Sequence, residues 1–313
     1  MATRKKDFTK ERKMFKKYVA LLLSTMCVAA AATEITLMHG PGGANDNIAR
    51  LMQKYQSLQD YVVVNRPGAG GRIAIQHMIK NDTTVFVTSP QVFVNNVLID
   101  PELSYDPKKL EIIAVVGYMP SVLICNKDSG ITSLEDIKKS TKILSFGVGG
   151  VGSNEHISTE ALLNELGTSI HTVVPFALAG NSTFAALLGG HISCIFANYP
   201  TVKNLIPNNK IQVIMSSEDL GLKIPTWKQS FKTEFPIRAY LAMVVNKDMD
   251  RNKIKKYQDD FQKVFEQPDF KQALTNAGLV PDFGTGQQAV NRVHNANQRI
   301  RNFIISKNLK LDK

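Results

Sequence analysis

Two glycine-rich turns within one short stretch, each placed between a strand-like and a helix-like run, constrain this chain most. After the apolar start at Leu37 comes Gly40-Pro41-Gly42-Gly43-Ala44-Asn45-Asp46-Asn47, then an apolar-periodic run through Ile48, Leu51, Met52 and Tyr55. The apolar stretch Tyr61–Val64 leads into Asn65-Arg66-Pro67-Gly68-Ala69-Gly70-Gly71-Arg72. The pattern predicts strand, turn, helix, repeated once. Glycine lets a backbone approach a ligand closely. A helix that begins directly after such a turn points unsatisfied N–H groups and its positive dipole end at whatever sits there. Two such turns imply a site built from main chain to hold a small anion.

The rest of the chain continues this alternation. Strand-like runs fall at Glu34–Met38, Tyr61–Val64, Val85–Thr88, Ile112–Tyr118, Val122–Cys125, Ile143–Phe146, His171–Phe176, Ile192–Phe196, Ile211–Met215 and Leu241–Val245. Helical runs fall at Asn45–Leu58, Ile73–Lys80, Ser133–Lys138, Ser153–Leu166, Thr183–Leu188, Asp250–Glu266, Pro268–Ala277 and Thr285–Lys307, the last a long amphipathic helix. This order predicts an α/β architecture with mainly parallel sheets. Val122-Leu123-Ile124-Cys125-Asn126-Lys127-Asp128 and Met243-Val244-Val245-Asn246-Lys247-Asp248 resemble one another. They are read as two neighbouring crossing strands, with a hinge near Leu123 and Val244. That reading puts one lobe at 33–124 plus 241–313 and the other at 125–240.

The first 32 residues read as a secretory signal peptide. A basic segment from Arg4 to Lys17 precedes an apolar run, Tyr18–Ala32, that is too short for a membrane span and ends in four alanines. Met14 is a second possible start. Cys27 fits a lipidation motif poorly, because Ser24, Thr25 and Met26 precede it. The net charge of +11 is largely a property of this leader, which holds eight of the 38 basic and two of the 27 acidic residues, so the remainder carries +5. A mild excess with no basic run and no interleaved aromatics argues against nucleic-acid binding. Cys125 and Cys194 lie in separate apolar strands. An oxidising compartment permits their pairing, but two separate buried thiols is the simpler expectation.

Other turns extend the site. Gly147-Val148-Gly149-Gly150-Val151-Gly152 fits the dinucleotide fingerprint between a strand and a helix, but no acid ends the next strand, His171–Phe176. The glycines, with Ser153 and Asn154, are therefore read as hydrogen-bond donors to a small ligand. Ala177–Ser182, Ala197-Asn198-Tyr199-Pro200 and Ser89-Pro90-Gln91 put small or amide side chains at further strand ends. Neither a nucleophile elbow nor a zinc-protease motif occurs, and His156 with Glu160 makes a packing pair rather than a metal site. No cofactor is expected.

At these residues the chain resembles the substrate-binding receptors of tripartite tricarboxylate transporters, the Bug-type periplasmic solute-binding proteins. The likeness rests on Pro41-Gly42-Gly43 with Asp46 and Ala49-Arg50, on Asn65-Arg66-Pro67-Gly68-Ala69-Gly70-Gly71, on Tyr105-Asp106-Pro107 and Ser133-Leu134-Glu135-Asp136, and on Gly152-Ser153, Leu187-Leu188-Gly189-Gly190 and Ile224-Pro225-Thr226 in order. The resemblance implies a two-lobed Venus-flytrap fold, type II-like, with a two-strand hinge. It implies a small carboxylate held without catalysis and handed to integral-membrane transporter subunits by a periplasmic, monomeric receptor. The implied ligand-binding residues are Pro41, Gly43, Ala44, Asp46, Ser89 and Pro90 from the first lobe, and Gly152, Ser153, Asn154, Ala179, Gly180 and Asn198 from the second. Ser193 departs from the pattern, which commonly has an acid after the Gly-Gly turn. A sensory receptor of the same fold, or a secreted enzyme acting on small acids, is the alternative reading.

Overall fold

The β4 and β10 strands organise the molecule. Both are long and almost wholly buried, β4 running over Leu110–Met119 and β10 over Ala239–Asn246. They lie side by side, antiparallel, with Ala239 opposite Met119 and Asn246 opposite Leu110. The computed structural model describes residues 33–88, 91–95, 97, 103–176 and 182–309. The proposed leader with Met14 and Cys27, and the turn residues Ser89, Pro90, Ala179 and Gly180, lie outside them.

Eleven strands are present among the described residues, in two sheets. The first orders β11 (Val280–Thr285), β4, β10, β3 (Thr84–Thr88), β1 (Thr33–Leu37) and β2 (Tyr61–Asn65). The second orders β7 (Thr172–Pro175), β6 (Ser145–Val148), β8 (Cys194–Asn198), β5 (Ser121–Asn126) and β9 (Ile211–Ser216). Only Pro120 separates β4 from β5, so the chain steps from one sheet to the other within a single residue. Residues 34–313 nonetheless pack as one compact unit.

The mainly parallel expectation needs correcting. β1–β3, β6–β7 and β6–β8 are parallel, whereas β10 pairs antiparallel with both β3 and β4, β11 with β4, and β5 with both β8 and β9. The reason is connectivity. A chain that leaves one sheet along β4 and returns along β10 runs the two passages in opposite senses. The hinge reading shifts for the same reason. Val122–Cys125 lies in β5 and pairs with β8 and β9, whereas Met243–Asn246 lies in β10 beside β4. The two similar segments are in different sheets, and the neighbouring pair at the crossover is β4 with β10.

Helices cover both faces of each sheet. On the first sheet, Ile48, Ala49 and Met52 of α1 (Ala44–Gln53) recur at helical spacing and pack with Leu37, Tyr61, Met243 and Phe261. The opposite face takes Ala74, Ile75 and Met78 of α2 (Arg72–Asn81). In the second sheet, α3 (Leu134–Lys139) and α4 (Asn154–Leu166) cover Phe146 and Phe196, with Trp227 of a later short helix fully buried beside them. Phe184 and Leu187 of α5 (Ser182–Leu188) and Val202 of α6 (Tyr199–Val202) fill the other face. After α7 (Trp227–Phe231) come α8 (Arg251–Phe265), α9 (Pro268–Asn276) and α10 (Gly286–Ser306). α10 falls within the stretch assigned to the first lobe. Its Ala289, Val293 and Ala296 do pack on the first sheet, but Ile300 and Ile304 enter the core of the second, and Lys307 pairs with Glu165 of α4 at 3.2 Å.

Gly117 shows why β4 can carry β11 on its edge. Its φ is +151°, and a Cβ there would sit 2.3 Å from the Val280 carbonyl oxygen, so the close approach of the two backbones requires glycine. The Cys125 and Cys194 side chains form a disulfide. They are directly opposed in the β5–β8 ladder, so the expectation of separate thiols does not hold. The sequence shows two apolar strands but not that they are neighbours in register.

Candidate functional site

A cavity of about 230 Å³ lies between the two sheets. Its walls come from the carboxyl ends of strands, where open α/β sheets bind ligands. His39 follows β1, Met119 ends β4, Gly149 follows β6, and Asn198 ends β8.

From the first sheet come His39, Gly40, Pro41, Gly43, Ala44 and Asn45. Gly43 is the N-cap of α1 and no side chain caps this terminus. The first main-chain bond of the helix is from Asn47 N–H to the Gly43 carbonyl, 3.0 Å. The helix therefore presents its positive end to the cavity wall with no side chain capping its first N–H groups, Asp46 of the first turn bonding instead to Gly42 N–H. His39 sits in this wall with Nδ1 2.8 Å from Asn45 Nδ2. With the amide donating, Nδ1 accepts and the ring's N–H is at Nε2. Burial pushes the His39 pKa down to about 4, so the ring is neutral at pH 7.

Asp46 does not line the cavity. Its carboxylate accepts from Gly42 N–H at 3.0 Å, Arg50 Nε at 3.0 Å and Asn65 Nδ2 at 3.0 Å. Burial alone would raise its pKa. The hydrogen bonds from Arg50, Gly42 and Asn65 outweigh it and hold the group below the usual carboxylate range. Asp46 thus ties together the first glycine turn, α1 and the end of β2. It shapes the wall and does not touch the space.

The second sheet contributes Gly149, Ser153, Asn154, Glu155, Thr183, Phe184 and Asn198, among others. Ser153 caps α4, its hydroxyl accepting from His156 N–H at 3.1 Å. His156 Nδ1 in turn accepts from Gly152 N–H at 2.9 Å, which fixes the glycine turn from behind. Gly152 is accordingly a brace behind the wall and is not part of it. Asn154 Oδ1 accepts from the buried Asn95 at 3.0 Å. Asn198 Nδ2 donates to Glu155 Oε1 at 3.2 Å. Burial raises the pKa of Glu155, opposed by hydrogen bonds from its own N–H, Ser153 and Asn198.

Of the residues expected from sequence, the structure therefore brings Pro41, Gly43, Ala44, Ser153, Asn154 and Asn198 together around one space. Asp46 and Gly152 support it. His39 and Glu155 were missed although each adjoins a glycine turn, the signal that located their neighbours. Met119 and Phe184 carried no such signal, because only the meeting of the two sheets puts them there. Among the described residues, no lysine or arginine lines the cavity, and no cluster of histidine, cysteine and acidic side chains could hold a metal ion.

Residues 47–309 match the family model described as the tripartite tricarboxylate transporter family receptor. The chain belongs to this family. One relative within reach is the UPF0065 protein in the gbd 5′ region of Cupriavidus necator, 25% identical over 272 residues that cover 79% of this chain and 78% of the relative. Among solved structures, the Rhodopseudomonas palustris protein Rpa4515 with adipate superposes at a TM-score of 0.79 with 21% identity, covering 89% of this chain and 98% of that one. MatC of Rhodopseudomonas palustris with bound malate superposes at 0.74 with 19% identity and 88% and 98% coverage. The fold is that of the two-lobed periplasmic binding proteins, and the family and its structural neighbours are binding proteins.

His39 makes the wall pH-sensitive. Its folded pKa of about 4 lies below the ordinary 6.5, so between these values the unfolded chain binds the proton and the folded chain does not. Stability is therefore fully present above about pH 6.5 and is lost as pH falls toward 4, by an amount on the order of 3 kcal/mol. Urea denaturation at pH 7 and pH 4.5 should show a steeper loss in the wild type than in His39→Gln. Equal losses would mean the ring is not buried neutral.

Proposed function

We propose that the chain is a periplasmic receptor that captures a small organic acid between two lobes and hands it to an integral-membrane transporter of the tripartite class. The observation that carries this is the cavity itself. It lies at strand carboxyl ends between two sheets, and one wall is the uncapped amino end of α1. Main-chain N–H groups hold a carboxylate by charge-assisted hydrogen bonds without a cationic side chain. Adipate and malate in the two Rhodopseudomonas proteins support the same ligand class here.

In this reading the ligand is held by Pro41, Gly43 and Ala44, with Ser89 and Pro90, from one lobe. Ser153, Asn154 and Asn198, with Ala179 and Gly180, hold it from the other, while Asp46 and Gly152 brace the turns. The lobes are those expected, 33–124 with 241–313, and 125–240, with the first boundary drawn back to Pro120, where the chain passes between the sheets. Their contacts with a shared ligand stabilise the closed form and shift an open–closed equilibrium. Residues 1–32 direct export and are removed, and the receptor acts as a monomer.

A thermal-shift screen of the mature chain over mono-, di- and tricarboxylates and amino acids tests the proposal. A ligand present at 100 times its dissociation constant stabilises by about 2.7 kcal/mol. A stabilising acid that is recovered unchanged supports capture. Turnover of that acid, or no stabilisation by any compound in the screen, overturns it.

A further inference from the structure

We propose that Glu155 makes this cavity selective for a ligand with a carboxylate at one end and an ammonium group at the other, in preference to a dicarboxylate. The inference rests on the capture reading above and names the ligand class of the same cavity.

The two walls differ in hydrogen-bonding sense. The first-sheet wall offers donors, namely the amino end of α1 and His39 Nε2–H. On the second-sheet wall Asn154, which precedes Glu155 in α4, also keeps a donor, since its Oδ1 is taken by Asn95 and its Nδ2 is left to donate. The second-sheet corner at Glu155 offers acceptors. Asn198 gives its Nδ2 to the Glu155 carboxylate, so its own carbonyl oxygen is left to accept beside that carboxylate. A molecule in the cavity thus meets the donors of the first-sheet wall and, on the second-sheet wall, a carboxylate with an amide oxygen beside it.

Charge sharpens the distinction. Glu155 stands in the first turn of α4, where an anionic ligand would otherwise find the helix's positive end. The protein's own carboxylate already occupies that favourable position. His39 and Glu155 are the titratable side chains among the described cavity residues, and no lysine or arginine offsets the glutamate. A second carboxylate brought to this corner meets like charge in a poorly solvated space, whereas an ammonium group supplies the missing counter-ion. Burial raises the Glu155 pKa, and the hydrogen bonds that oppose it come from neutral groups, its own N–H, Ser153 and Asn198, with no cation among the described cavity residues.

The test is titration calorimetry on the mature chain at pH 7.5 with three matched pairs: succinate and 4-aminobutyrate, glutarate and 5-aminopentanoate, adipate and 6-aminohexanoate. The α-amino acids that shift melting in the screen are added. The expected result is that the amino member of the pair that fits binds about tenfold or more tightly than its dicarboxylate. Glu155→Gln keeps the shape and removes the charge, and should abolish that preference with little change in melting temperature. A wild-type preference for the dicarboxylate, or the same ratio in Glu155→Gln, overturns the inference and leaves the capture reading standing. That outcome also covers a protonated Glu155 that donates to a second carboxylate. If no acid or amino acid binds the wild type, both fall.

Discussion

Breaking the Cys125–Cys194 disulfide should lower the melting temperature by roughly 5–15 °C. The bond closes a sequence separation of 69 residues. The chain-entropy argument gives about 4 kcal/mol for a loop of that length, at the upper end of the 2–4 kcal/mol that disulfides typically contribute. Little of this comes from packing, because both side chains are fully buried in the second core and remain there as thiols. Thermal denaturation followed by circular dichroism, with and without a phosphine reductant under conditions that give full reduction, measures the effect. A shift below about 1 °C would mean that β5 and β8 hold their register without the bond and that its contribution is negligible. The cysteines occur in facing strands of the same ladder. The cross-link therefore limits separation of β8, which ends at Asn198 in the cavity wall, from β5, which follows directly from the crossover.

Ala44→Phe should reduce affinity for any acid found in the screen by about 100-fold or more, while shifting the melting temperature by no more than about 3 °C. Ala44 is the first residue of α1 and lines the cavity. A benzyl group there takes a large part of about 230 Å³ and covers the amino end of the helix. The fold tolerates it better than the ligand does, because the position is only half buried and borders the cavity. Calorimetry on the variant decides. An affinity equal to that of the wild type would place the ligand elsewhere.

The elements that local chemistry specifies were the readable part of this chain. The ten expected strands are all present, because each is an apolar run bounded by turn residues. β11 was missed. Its Val280-Pro281-Asp282-Phe283-Gly284 has neither alternation nor a continuous apolar run, and it pairs with β4 in a broken register at the sheet's edge. Strand direction was misjudged because alternating strand-like and helix-like runs do not reveal that β4 and β10 are opposed passages between two sheets. The site divides in the same way. Glycine turns followed by helices marked Gly43, Ala44, Ser153 and Asn154. The resemblance counts Asp46 among the ligand-binding residues, and sequence alone does not show that Gly42, Arg50 and Asn65 claim its oxygens. Met119, Phe184 and the pairing of the cysteines depend on contacts between distant segments, which no local pattern encodes.

The α10 helix gives the molecule a third tie besides the two strand passages. Its 21 residues span about 31 Å, with Ala289, Val293 and Ala296 seated against one sheet and Ile300 and Ile304 against the other. A rod fastened at both ends resists twisting of one half against the other more than it resists bending about its own midpoint. Any rotation of one sheet against the other has therefore to bend this helix between Ala296 and Ile300 or unseat one of its ends.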